Sequence, residues 1–164
     1  MLINDNISVA LALPARVGLH IGQTDLPLTT ARHLLGPGRL IGISAKTPAQ
    51  ALEAREQGAD YVGIGAVYGT QSKKGIVQGK NTLGPRGAAE VVAACHRSAK
   101  GKDGKELPPI SSVLIGGINR KTAMRSLFRT TASDDGGVRA STDGLAVISD
   151  IYANEDPEKV ASKL

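Results

Sequence analysis

Cysteine and aromatic residues are nearly missing from these 164 residues, which hold one Cys, no Trp, one Phe and three Tyr. The lone Cys95 excludes an internal disulfide and, with no Cys/His cluster beside it, a structural zinc site. Its apolar helical surroundings make it a semi-buried bystander. So few aromatics leave no stacking platforms, and the basic residues are scattered, which disfavours a nucleic-acid partner. No run approaches the ~18 apolar residues of a membrane span, and no signal-peptide pattern opens the chain. A cytoplasmic protein with no membrane contact is expected. No Ser/His/Asp or Cys/His set stands in a recognisable order, so nucleophilic catalysis has no support.

What is present is aliphatic. Hydrophobic residues make up 41% with aromatics only 2%, alongside 20 glycines. A core of Ala, Val, Leu and Ile packed with glycine is the texture of a parallel sheet covered by helices. The net charge of +5 favours an anionic partner, and phosphorylated small molecules suit it best.

Six short apolar runs read as strands: 1–5, 17–21, 40–44, 61–67, 112–115 and 144–148. Each is followed by a helical pattern, at 6–15, 28–35, 47–57, 85–99, 119–129 and 157–164. Thr47-Pro48 opens the third helix with a cap and a first-turn proline, and Gly58 closes it. Polar loops fill 100–109 and 130–143. Without hairpin signals, this order means parallel strands joined by crossover helices. Residues 1–164 read as one domain, with no linker to divide them.

Polar residues and glycines gather after the carboxyl end of every strand, the edge where open sheets and (β/α)₈ barrels bind ligands. The richest such loop follows Tyr61 to Val67, where Thr70, Ser72, Lys73 and Lys74 lie between Gly69 and Gly75. It has the composition of an oxyanion or phosphate grip, or equally of a solvated Lys-rich turn. Asp5 and Asp25 end neighbouring strands and could share Mg²⁺, which takes one or two protein carboxylates plus phosphate oxygens. Alternatively, each caps the helix that follows. Gly116-Gly117 before Asn119 is either a backbone-amide phosphate site or a tight turn. His20, inside a strand, reads as a packed core histidine rather than a base.

Taken together, LIND at 2–5, GLHIGQTDLP at 18–27, IGIS at 41–44, GADYVGIGAVYGTQSKKG at 58–75, IGGI at 115–118 and DGLAVISDI at 143–151 resemble thiamine-phosphate synthase. The resemblance implies a (β/α)₈ TIM barrel and a Mg²⁺-dependent transferase of thiamine biosynthesis. Such an enzyme couples hydroxymethylpyrimidine diphosphate with hydroxyethylthiazole phosphate and releases pyrophosphate. It implies Asp5 and Asp25 as metal ligands, Asn4 at the diphosphate and Ser44 at the pyrimidine. Thr70, Ser72 and Lys73 would touch thiazole phosphate and pyrophosphate, and Gly117, Ile148 and Ser149 would grip thiazole phosphate. Lys73 and Ser44 are the expected catalytic pair. The mechanism implied is electrostatic, with Mg²⁺ and Lys73 stabilising the leaving pyrophosphate and no general base. Homo-oligomers are usual in the family.

The long loops at 100–109 and 130–143 resemble fungal forms, in which a hydroxyethylthiazole kinase follows the barrel. Only six βα units are present and the alignment begins at the family's third strand, so a barrel truncated at its front is expected. A full barrel takes at least ~200 residues. Other possibilities are a TenI-like relative that aromatises the thiazole, and a non-catalytic fragment that binds phosphorylated ligand or partner subunits.

Overall fold

The computed structural model describes residues 1–70, 72, 77, 79–129, 132–133 and 139–163. The chain alternates strand and helix: β1 (Leu2–Asn4), α1 (Ile7–Ala12), β2 (Gly18–Ile21), α2 (Leu28–Leu35), β3 (Ile41–Ala45), α3 (Pro48–Glu56), β4 (Tyr61–Ile64) and α4 (Gly84–His96). It continues through β5 (Ser111–Leu114), α5 (Ala123–Arg129), β6 (Ala132–Ser133), β7 (Arg139–Ala140), β8 (Gly144–Leu145), α6 (Ser149–Tyr152) and α7 (Pro157–Ala161).

Local chemistry places the helices. The Asn6 side chain accepts from Val9 N at the start of α1, and Thr47 accepts from Gln50 N ahead of Pro48 in α3. Gly36, with φ 77°, stops α2. The buried residues Leu28, Ala31 and Leu35 of α2, and Ala88, Val91, Val92 and Cys95 of α4, recur at helical spacing and mark the faces that pack.

Six strands form one parallel sheet in the order β1-β2-β3-β4-β5-β8. The order follows the chain without a reversal. Right-handed crossovers then lay the connecting helices α1 to α5 on the same face of the sheet, the winding of a half-barrel. That face carries Leu19, Ile21, Ile41, Val62, Ile64 and Leu114, all fully buried. The alternate positions hold His20, Gly42, Ser44, Tyr61 and Gly63, so the opposite face is polar and glycine-rich.

Some elements depart from the sequence-based expectation. β4 stops at Ile64, although Val67 N and Tyr68 N still bond Ile115 O and Gly116 O. Gly65 lies so close to β5 that a Cβ there would stand 2.2 Å from Ile115 O, which takes the chain out of regular strand geometry. β8 is short because only Val113 and Leu114 of β5 pair with it. Ile148, expected to end that strand, is therefore the N-cap of α6, which begins at Ser149. The expectation of no hairpin also fails, since β6 and β7 pair antiparallel within the loop 130–143. The Asp135-Gly136 dipeptide between them in sequence is a hairpin signal. No helix among the described residues is long and apolar enough to cross a membrane.

Candidate functional site

The carboxyl ends of β1 and β2 are joined beyond their last paired residues, where Asp5 N donates to His20 O at 2.8 Å. Asp5 sits at φ 61°, a left-handed conformation that Asp tolerates better than most residues. Its expected alternative, capping α1, is not what the chain does: Asn6 is the cap. Asp25 is likewise no helix cap, because the N-cap of α2 is Pro27, with no side-chain cap. Instead Asp25 Oδ2 accepts from Gly22 N at 2.6 Å, and a Cβ on Gly22 would stand only 3.0 Å from that oxygen. Both acids thus lie close to adjacent strand ends, and neither is the N-cap of the helix that follows. Among the described residues no three His, Cys, Asp or Glu side chains gather as a metal cluster. Two carboxylates are nonetheless the donor set that suits Mg²⁺ sharing phosphate oxygens.

Ser44 lies on the same edge, near the end of β3. Its hydroxyl is 2.9 Å from His20 Nε2, and its carbonyl accepts from Gln23 Nε2 at 2.7 Å. His20 is therefore no simple core residue. It is half-buried on the polar face, with Nδ1 2.6 Å from the Tyr61 hydroxyl. Burial pushes the Tyr61 phenol up to about 12. Tyr61 was not among the expected site residues. The period-two alternation of strands was its available signal, since it shares a face with His20 and Ser44.

Past β4, Thr70 Oγ1 accepts from Ser72 N at 3.2 Å. Lys73, with Lys74 and Gly75, lies outside the described residues. The loop after β5 packs directly on this segment. Gly116 and Gly117 have φ of 83° and 69°, and a Cβ on Gly117 would stand 2.6 Å from Gly69 O. Only glycine fits there. The Gly117 carbonyl accepts from Thr122 Oγ1 and Asn119 Nδ2, while Asn119 Oδ1 accepts from Lys121 N and Thr122 N. Asn119 therefore orders a turn, and α5 begins only at Ala123.

The β8 end is clamped to this loop by Asp150, whose Oδ2 receives Arg120 N at 3.0 Å and Arg120 Nε at 3.1 Å. The Arg120 backbone N–H, more than its guanidinium, holds the Asp150 carboxyl below its usual range. The clamp keeps Ser149, exposed at the start of α6, beside the loop of Gly117. An open concavity of about 610 Å³ lies against it, lined by Asn119, Arg120, Lys121, Asp150 and Asn154. Cys95 takes no part. It is fully buried behind the sheet, its thiol pushed up to about 12 by burial.

Residues 1–151 match the family described as Thiamine monophosphate synthase. A Thiamine-phosphate synthase of Clostridium novyi is 38% identical over 164 residues, covering 100% of this chain and 67% of the relative. One from Methanosarcina mazei is 37% identical over 158 residues, covering 96% of this chain and 54% of the relative. The solved Thiamine phosphate pyrophosphorylase from Pyrococcus furiosus superposes with a TM-score of 0.72 at 31% identity, over 99% of this chain and 64% of that one. These relatives are bacterial and archaeal and support neither the fungal-type assignment nor a truncation at the front. The chain spans between about half and two thirds of their length. Family match, identity and superposed fold agree, and the chain belongs to the thiamine monophosphate synthase family.

Proposed function

We propose that this chain couples hydroxymethylpyrimidine diphosphate to hydroxyethylthiazole phosphate, giving thiamine phosphate and pyrophosphate. Its relatives carry the names Thiamine-phosphate synthase and Thiamine phosphate pyrophosphorylase, which support that reading. The observation that carries the reading is the pair Asp5 and Asp25, at adjacent strand ends and released from helix capping. Two such carboxylates fit Mg²⁺, which when bound would neutralise diphosphate charge and stabilise pyrophosphate as a leaving group. Asn4 would contact the diphosphate from β1, and Ser44 the pyrimidine from β3. Thr70, Ser72 and Lys73 would meet both phosphate groups, with the Lys73 ammonium opposing the charge that develops on pyrophosphate. Gly117, Ile148 and Ser149 would hold thiazole phosphate across the Arg120–Asp150 clamp. The reaction needs orientation of two substrates and charge stabilisation rather than a base. The single winding of the sheet supports strands of a closed (β/α)₈ barrel, and family habit supports a homo-oligomer.

Turnover of the two substrates with Mg²⁺, measured beside Asp25→Ala and Lys73→Ala, tests the reading. Product formed by the native chain and reduced at least about a hundredfold by each substitution is expected. A folded, soluble chain that makes no product would overturn it.

A further inference from the structure

Tyr61, His20 and Ser44 form a hydrogen-bonded chain across three strands, and the sheet is shaped to hold it. His20 of β2 pairs in register with Gly42 of β3, and Gly42 with Tyr61 of β4. A side chain at the middle of that row would keep the outer two apart. With glycine there, the Tyr61 ring fills the gap: a Cβ on Gly42 would stand 2.1 Å from it. The His20 and Tyr61 rings approach to 5.5 Å between centroids. Ser44 pairs with Gly63, whose missing side chain makes room for the imidazole, since a Cβ there would stand 2.9 Å from His20 Cε1. Two glycines at successive inward positions are what let the chain exist.

Its polarity follows from donor strength. The Tyr61 phenol oxygen lies 2.6 Å from Nδ1 and the Ser44 hydroxyl oxygen 2.9 Å from Nε2. A phenol is the stronger donor and weaker acceptor of the two, which assigns the O–H toward the ring to Tyr61. A phenol donating to Nδ1 leaves the neutral imidazole its proton on Nε2. Nε2–H then donates to Ser44 Oγ, 2.9 Å away. With that lone pair engaged and its carbonyl held by Gln23, Ser44 turns its own hydroxyl hydrogen away from His20.

We propose that Tyr61 and His20 are positioning residues, Tyr61 setting His20 as the Nε2–H tautomer so that the Ser44 hydroxyl is presented to the pyrimidine diphosphate as a donor. The identity of that ligand rests on the function proposed above, whereas the tautomer does not.

Nitrogen-15 spectra of the unliganded chain, with His20 assigned by its loss in His20→Gln, read the tautomer directly. An Nε2-protonated ring is expected, with Tyr61→Phe releasing it to a mixture of tautomers. An Nδ1-protonated ring in the native chain would overturn the proposal without reference to any ligand. Calorimetric affinity for the pyrimidine diphosphate with Mg²⁺ then tests the consequence. Tyr61→Phe keeps the ring and is expected to weaken binding about tenfold, the scale of one hydrogen bond. In a Ser44→Ala background the same substitution should change nothing further. Equal losses in both backgrounds would make Tyr61 a packing residue and overturn the proposal while leaving the function standing. A native chain that neither binds nor turns over the diphosphate would overturn both, whatever its tautomer.

Discussion

Arg55 is a buried charge with no carboxylate among its hydrogen-bond partners in the described residues. At 5% exposure, its guanidinium donates to the carbonyls of Ala94, Arg97, Leu107 and Pro108. Ala94 and Arg97 end α4, where the helix dipole is negative, so aligned carbonyls supply the compensation that an acid would otherwise give. Arg55 thereby ties α3 to α4 and to the polar loop before β5. Arg55→Met keeps the stem but strands four carbonyls, and a loss of about 3 kcal/mol in urea unfolding is expected. At this scale the sequence was legible wherever a residue announces a strand end. Asp5, Asp25 and Ser44 stand at or just past strand ends, where the sequence pattern puts them. His20 and Tyr61 were not legible in this way, because their meaning depends on glycines in two other strands. Arg55 was invisible for the same reason: its partners lie some 40 to 50 residues away along the chain.

Elements were legible where a cap or breaker coincides with an apolar pattern. The span 28–35 that the sequence marks as helical is α2, and α3 differs from its expected span only at its ends. Elements were misread where tertiary contact overrides local preference. Tyr61 to Val67 has strand composition throughout, yet regular structure stops where Gly65 meets the Ile115 carbonyl. Gly65→Ala must push β4 and β5 apart at the edge that bears the site. A loss of about 3 kcal/mol is expected from such overpacking, read as a lowered denaturation midpoint with unchanged denaturant slope. A neutral substitution would mean that the strand ends are not in contact.

On the scale of the whole molecule, the unreversed strand order puts the crossover helices on one face of the sheet. It also leaves β1 and β8 at the edges of the sheet, with Leu2 exposed on β1. The fold binds two acidic groups in their neutral forms: burial raises Cys95 from 9.0 and Tyr61 from 10.0, each to about 12. Well below pH 9 both are protonated whether the chain is folded or not. As pH rises toward 12 the unfolded chain releases protons that the folded chain keeps, so stability falls. The melting temperature is expected to drop steadily over that window, and Cys95→Ala with Tyr61→Phe should flatten the slope. A pH-independent melting temperature between 9 and 12 would show that neither group is held neutral. The sequence by itself determined the alternation of strand and helix, the aliphatic core and the polar strand ends, because these follow from short-range periodicity and turn chemistry. Only the tertiary structure decided that Gly42 lets His20 meet Tyr61, that Asp150 clamps the loop of Gly117, and that Asp5 and Asp25 are spared from capping. Each of those depends on register between strands, and register is set by packing across the sheet rather than by neighbours in the chain.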